Sequence, residues 1–565
     1  MFWGLILKNK FKTFFISFLG GILYSFGFPS FISYQETSLI LSNLGLFIFI
    51  FQLPFPFVIK SKENEIKFKI FALSLISFSI GFNTFGFYWI PETLKLFGDI
   101  NFPFNFILSQ LFSLFILPHY WVYLLFLFII FKFKKKFFNS IENSNFLVNS
   151  IPLFLALLLT LLENIVPQQF PAHIGHTWLK LKPYLSYAPY FGSPIYSFIS
   201  YLLIFGIIQN LKFKKDNKFF SLNPSIVLAL ILITGNFFKP LKNTSALEAE
   251  KKINIRIVQA NIGNFLKSTL EKQGHINNLN DVINKYRELS LKDSNLISFK
   301  PDLIIWPETA FPFTFSTLDL INQTVNIPDQ FQKIKNKFDA HLLIGGYDSL
   351  DINSRNDFEN VFNAAIFLDL KNNKSNVYHK HLLIPFGETL PFGNFLNKII
   401  GEYIDNISYF ATGETFPIFE TKWDTQFSVA ICYEILFFNF IRSYLNAEKS
   451  KQPDFLINLT NDSWYGQTAE PDQHLFLTKW RALEFQLPVI RSTNTGISTI
   501  IYPDGRESDR ILLDTEGILD VKLSIPTESK PTLFQKYGLT GLLMVVLFLF
   551  LPFYLLYTYL VRTKL

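Results

Sequence analysis

One cysteine, Cys432, stands among 565 residues. That scarcity excludes an internal disulfide and any zinc site built from paired cysteines. A solitary thiol stays free even in an oxidising compartment unless it meets another chain. There is no internal repeat, and no low-complexity tract beyond the apolar runs. No small-residue cleavage site follows the first apolar run. The segment bearing Lys8, Lys10 and Lys12 therefore reads as the entry to an uncleaved membrane helix, not as a signal peptide.

What is abundant is apolar. Hydrophobic residues make up 49% of the chain, with 69 Phe, and the mean hydropathy is +0.26. Those values suit a membrane protein. The length exceeds one ordinary globular core. The net charge of +7 does not indicate a nucleic-acid partner, because the basic residues sit in short clusters beside apolar runs. Apolar stretches cover residues 11–29, 38–59, 70–90, 104–131, 147–166, 191–211, 220–238 and 539–560. A helical span takes roughly 20 residues. The seventh stretch is weakened by Pro224 and Asn236.

The loops order these spans. Lysines cluster at Lys8–Lys12, Lys60–Lys69, Lys132–Lys136 and Lys212–Lys218, and Arg562 and Lys564 close the tail. Each cluster falls in an alternate loop, so a positive-inside orientation with about eight spans satisfies them all. The expectation is a membrane domain over 1–240, a folded polar domain over 241–537 and a final span with its tail over 538–565. Both termini then face the cytoplasm and the polar domain faces away from it. That domain shows β-type runs at Ile253–Val258, Leu303–Trp306, His341–Ile344, Ala364–Leu368, Phe427–Cys432, Phe455–Leu459 and Ile497–Tyr502. Helical stretches at Asn280–Lys292 and Gln473–Phe485 lie between some of them, which argues for an α/β sandwich.

Three segments share one layout, an apolar strand that ends in a reactive side chain. They are Pro301–Glu308 (ending Trp306-Pro307-Glu308), Tyr378–Glu388 with Lys380, and Phe427–Glu434 with Cys432. A thiol attacks as thiolate, and its ordinary pKa of about 8.5 leaves little thiolate at neutral pH. A carboxylate can take the proton, and a lysine can hold the charge of a tetrahedral intermediate. The set suits acyl transfer. Taken singly, each residue has a plainer reading: a core thiol, a turn carboxylate, a solvated loop lysine.

Together, Trp306-Pro307-Glu308, Lys380 with Pro385-Phe386-Gly387-Glu388, and Cys432-Tyr433-Glu434 resemble the nitrilase superfamily with its Glu-Lys-Cys triad. With flanking membrane helices, the chain is similar to the membrane-embedded apolipoprotein N-acyltransferase family. Further matching segments are Val258–Ile262, Asn461–Gly466, Arg481–Glu484 and Arg491–Gly496. The resemblance implies a four-layer αββα sandwich inserted in a polytopic helical domain of a bacterial inner membrane, with the sandwich periplasmic. It implies a ping-pong transfer in which Cys432 takes an acyl chain from a phospholipid, phosphatidylethanolamine at its sn-1 position. The chain then passes to the amine of an S-diacylglyceryl-cysteine in an apolipoprotein. Glu308 would be the general base, and Lys380 would stabilise the oxyanion. Glu388 would orient the lysine, Tyr433 would offer a backbone N–H, and Glu434 matches a further family glutamate. No cofactor and no metal are implied.

The sequence departs from the family after Ile262, where Gly263-Asn264 follows and Ser268 holds the usual Trp position. Glu163 lies inside the fifth span, where a charge is costly and suggests function, or at the outer interface beside Asn164. His173, His176 and Trp178 read as interfacial anchors or as head-group contacts. Ile435, Leu436, Phe437 and Phe438 read as sandwich core or as the lining of a gap that admits lipid. Two competing readings are a membrane-tethered amidase using the same triad with water, and a transporter or scaffold with a decayed polar domain. Only Glu163 supplies the charge inside spans that a transporter needs.

Overall fold

A computed structural model describes residues 10–30, 37–53, 64–142, 145–213, 223–238, 250–263, 276–322, 329–350, 361–385, 387–389, 410–448, 451–526 and 529–563. Ser268 and much of the lysine clusters (Lys8, Lys60, Lys62, Lys214, Lys215, Lys218 and Lys564) lie outside them. The described residues form two compact units, one drawn from 1–94, 100–241 and 532–565, the other from 95–99 and 242–531.

The first unit is helical. Every expected span contains helix: Lys10–Ser25, Leu39–Gln52, Asn64–Gly86, Phe104–Ile116 with Pro118–Glu142, Asn145–Ile165, Pro194–Phe213, Pro224–Asn236, and the run from Leu539 to Thr563. Three windows, Lys69–Gly86, Pro194–Leu211 and Leu539–Tyr557, are long and apolar enough to cross a bilayer on their own. The span expected over 104–131 is broken by a 56° bend between Phe104–Ile116 and Pro118–Ile130, and this bent pair makes a fourth. Leu117 leaves the helical conformation at φ −123°, ψ 57°, and Pro118 after it supplies no N–H to carry the ladder across. The other apolar helices are shorter, so length and composition of the described residues support fewer than the eight expected spans.

Small and polar residues knit these helices together. A Cβ on Gly21 would collide with the Phe78 backbone, so glycine is what lets the first and third helices meet. Ser17 and Ser74 share a hydroxyl hydrogen bond of 2.6 Å across the same contact. Glu163 is fully buried; it accepts from the Ile174 N–H at 2.8 Å and the Tyr201 hydroxyl at 3.2 Å. It therefore sits inside the bundle, not at a water interface. His173, His176 and Trp178 are buried too, with Trp178 Nε1 donating to Ser200 Oγ at 2.9 Å.

The second unit holds two β-sheets. Its strands are β1 (Glu250–Gln259), β2 (Leu303–Trp306), β3 (Thr314–Ser316), β4 (His341–Ser349), β5 (Val361–Asp369), β6 (Lys374–His379), β7 (Phe419–Glu420), β8 (Gln426–Ile431), β9 (Phe455–Thr460), β10 (Val489–Thr493), β11 (Thr499–Ile501) and β12 (Gly517–Pro526). One sheet runs β12-β1-β2-β4-β5-β6 with β3 beside β4; the other runs β11-β10-β9-β8-β7. Both are mixed: β1, β2 and β4 are parallel neighbours, as are β8, β9 and β10.

Alternation along the strands sets the layers. Ile253, Ile255, Leu303, Ile305, Leu343 and Phe367 share one core with Val429, Ile431, Ile457 and Ile490 of the other sheet. The opposite face of the first sheet (Ile304, Trp306, Leu342, Ile344, Ile366) packs on Val282, Ile283, Tyr286 and Leu289 of the helix Ile276–Leu291. The helix Glu470–Phe485 packs on β10 and on the turn after Cys432. Ile435, Leu436 and Phe438 are buried.

Candidate active site

Glu308 follows β2 directly. Pro307 has no N–H, so the ladder ends at Trp306 and the carboxylate leaves the sheet at its C-terminal edge. Gly345 of β4 lies against this turn, and a Cβ there would collide with the Pro307 carbonyl and the Glu308 backbone. Cys432 follows β8 and opens the single helical turn Cys432–Leu436. Its φ of +52° lies in the left-handed region, where a side chain with a Cβ is strained and a surrounding structure must hold it. Lys380 follows β6, not an apolar strand. The run Leu382–Ile384 after it is not a strand, and β6 itself is the polar edge Lys374–His379. Register fixes the lysine: its N–H donates to the Asn363 carbonyl at 2.9 Å.

The side chains converge. Lys380 Nζ donates to Glu308 Oε1 at 3.1 Å and to Glu388 Oε1 at 2.9 Å. Asn363 Nδ2 donates to the same two oxygens, at 2.8 Å and 3.0 Å. The remaining oxygens are held by backbone: Glu308 Oε2 accepts from the Asn461 N–H at 2.8 Å, and Glu388 Oε2 from the Ile384 N–H at 3.0 Å. Glu308, Lys380, Glu388 and Cys432 are all buried. Two carboxylates facing one ammonium leave an excess of negative charge.

Burial and that excess together set the protonation states. Burial, then the Glu308 charge, pushes the Cys432 thiol well above its ordinary value. Burial also raises Glu308, against the pull of Lys380. For Lys380 burial acts downward, but Glu308 and Glu388 overcome it and hold the ammonium charged. The resting state is thus a neutral thiol beside a charged lysine and a carboxylate of raised proton affinity. Such a thiol needs a base to become a nucleophile.

Glu434 ties the lysine loop to the cysteine turn. It accepts from the backbone N–H groups of Ile431 (2.7 Å), His381 (2.6 Å) and Leu382 (3.1 Å), and from the Tyr378 hydroxyl (2.8 Å). Tyr433 is partly buried against Phe437, with ring centroids 4.8 Å apart. Sequence reasoning missed Asn363, Asn458 and His474. Asn458 Nδ2 donates to the carbonyls of Ala430 (3.2 Å) and Cys432 (3.3 Å). The available signal was an asparagine inside each of two otherwise apolar buried strands, Val361–Asp369 and Phe455–Thr460. Among the quoted segments, Gln259 bridges Thr493 Oγ1 (2.9 Å) and Ser498 Oγ (2.6 Å), and Arg481 pairs with Glu484 at 3.0 Å.

A buried carboxylate–lysine–thiol set on the strand ends of a two-sheet α/β domain defines the carbon-nitrogen hydrolase class, and residues 254–528 match the carbon-nitrogen hydrolase family model. Residues 20–205 match the model of the apolipoprotein N-acyltransferase N-terminal domain. A protein named apolipoprotein N-acyltransferase from Bdellovibrio bacteriovorus is 31% identical over 70% of this chain and 71% of its own length. One of the same name from Rickettsia prowazekii is 32% identical over 54% of this chain, and the match spans 56% of that protein. Among solved structures, an amidase of the nitrilase superfamily from Nesterenkonia AN1 covers 49% of this chain and 93% of its own at 16% identity, with a TM-score of 0.30. The chain belongs to the apolipoprotein N-acyltransferase family.

Proposed function

We propose that this protein moves a fatty acyl chain from a membrane phospholipid, phosphatidylethanolamine, to the N-terminal amine of S-diacylglyceryl-cysteine in apolipoproteins. The observation that carries the reading is the sealed Glu308–Lys380–Glu388 group beyond the ends of β2 and β6, within electrostatic reach of Cys432, which follows β8 in a left-handed turn. Family membership favours transfer to an amine over the water-driven amidase reaction.

In the first half-reaction Glu308 takes the thiol proton and Sγ of Cys432 attacks the ester carbonyl. Lys380 and the N–H of Tyr433 stabilise the oxyanion. The tetrahedral species expels the lysophospholipid alkoxide, which takes the proton from Glu308, and a thioester remains. In the second, the amine attacks the thioester and Glu308 accepts its proton. The Cys432 thiolate leaves and is reprotonated, and an amide is formed. Glu388 and Asn363 orient the lysine and the base. In this reading the second unit is a four-layer αββα sandwich over 241–537 that faces the periplasm. About eight spans hold it at the inner membrane, with both termini cytoplasmic, and the alternating lysine clusters support that orientation.

The test is reconstitution of the full chain with phosphatidylethanolamine and a diacylglyceryl-cysteine peptide. The expected products are lysophospholipid and N-acyl peptide in equal amounts. Free fatty acid at the same rate with or without the peptide would favour the amidase-type reading.

A further inference from the structure

A second buried ionisable group lies behind the nucleophile. His474, in the helix Glu470–Phe485, places Nε2 3.2 Å from the Cys432 carbonyl oxygen. Its Nδ1 lies 3.5 Å from Asp462 Oδ1 and 3.8 Å from Glu470 Oε1. Asp462 Oδ2 accepts from Arg491 at 2.6 Å, and Arg491 also donates to Asn458 Oδ1 at 2.9 Å. All five side chains are buried. The Cys432 carbonyl therefore receives two donors, Asn458 Nδ2 and His474 Nε2.

We propose that His474 is a positioning residue for the nucleophile, holding the Cys432 carbonyl through Nε2–H and thereby the left-handed turn that aims Sγ. A carbonyl oxygen only accepts, so the contact requires the tautomer with its proton on Nε2. Nδ1 then faces Asp462 and Glu470. Burial and the charge on Asp462 push Glu470 well up; for Asp462 burial acts upward too, but Arg491 and His474 together overcome it and hold the group below the usual carboxylate range. His474 is pushed down to about 4 by burial and by Arg491, so its ring is neutral. The same three residues, Asp462, Glu470 and His474, have the ligand types for a metal ion. Arg491 already supplies the cation that Asp462 needs, and a divalent ion there would be crowded against a guanidinium.

The inference rests on Cys432 being the nucleophile. Its test measures acyl-enzyme formation against phospholipid concentration in the full chain, for wild type, His474→Leu and His474→Gln. The leucine variant should lose about tenfold or more in maximal acylation rate, with half-saturation unchanged within about twofold. The glutamine variant, whose side-chain amide can donate from the Nε2 position, should recover most of the loss. A leucine variant at wild-type rate would overturn the proposal. So would a folded glutamine variant as slow as leucine or, should leucine not fold, one tenfold below wild type. Stoichiometric divalent metal in purified wild type, absent from the variants, would reassign the cluster as a metal site. If wild type forms no acyl adduct, the functional reading fails instead, and alkylation of Cys432 by iodoacetamide must still rank the three proteins in the same order.

Discussion

Lys380 Nζ sits 3.1 Å from Glu308 Oε1, with both side chains sealed from solvent. Neither charge is tolerable there without the other. Lys380→Met leaves Glu308 and Glu388 facing each other without a cation. The expected cost is about 3–5 kcal/mol in stability, together with an acylation rate on the order of 10²-fold lower. Thermal unfolding and single-turnover acylation check the two effects separately. Lys380→Arg should not restore the rate, because the planar fork cannot replace a point charge between two oxygens.

Gly345 tests the packing behind Glu308. Adding a methyl group in Gly345→Ala forces the Pro307–Glu308 turn away from β4. Stability should fall by about 1–3 kcal/mol. Acylation should fall roughly tenfold or more through displacement of Glu308. A variant that matches wild type in both would show that the turn has room to spare.

Glu434 gives a pH dependence with a definite sign. Burial raises it from 4.5 to about 7 in spite of the hydrogen bonds it accepts. The folded state therefore binds its proton more tightly than the unfolded state does. Stability from neutral Glu434 is fully present below the unfolded value and is lost as pH rises through about 7. The effect amounts to about 3 kcal/mol at most. In Glu434→Gln this slope disappears, so the stability advantage of wild type over the variant should shrink between about pH 4.5 and pH 7. Denaturant titrations across that range check it; an advantage that grows with pH would contradict the assignment.

In the helical unit, Glu163 joins the helix Asn145–Ile165 to the Ile174 N–H and to Tyr201. Glu163→Ala removes the acceptor and strands the Ile174 N–H, at about 1–3 kcal/mol for a buried donor left unpaired, while the Tyr201 hydroxyl keeps Tyr120. A lowered Tm in detergent is the expected result; an unchanged Tm would mean that the loop holds by packing alone.

The two strand-end residues Glu308 and Cys432 were legible because each closes an apolar run, one stopped by Pro307 and one by a turn. The strand that precedes Lys380 was not legible. As an edge strand, β6 needs no apolar alternation, and the apolar run that caught attention, Leu382–Ile384, lies beyond the lysine. β12, also an edge, was hidden by its half-exposed pattern. β10 does not read as a strand, because its Arg491, Ser492 and Thr493 look like loop residues although all are buried. The apolar spans were visible by composition, but not the bend at Pro118. Asn363, Asn458 and His474 draw their roles from partners far away in sequence, and one chain read linearly does not display those pairings. Glu163 was visible as an anomaly, while its partners Ile174 and Tyr201 were not.

Intact mass spectrometry of the enzyme purified from membranes tests the central claim most directly. Wild type should carry an acyl adduct that neutral hydroxylamine releases and that Cys432→Ala lacks. An unmodified wild type together with full N-acylation by Cys432→Ala would contradict the account.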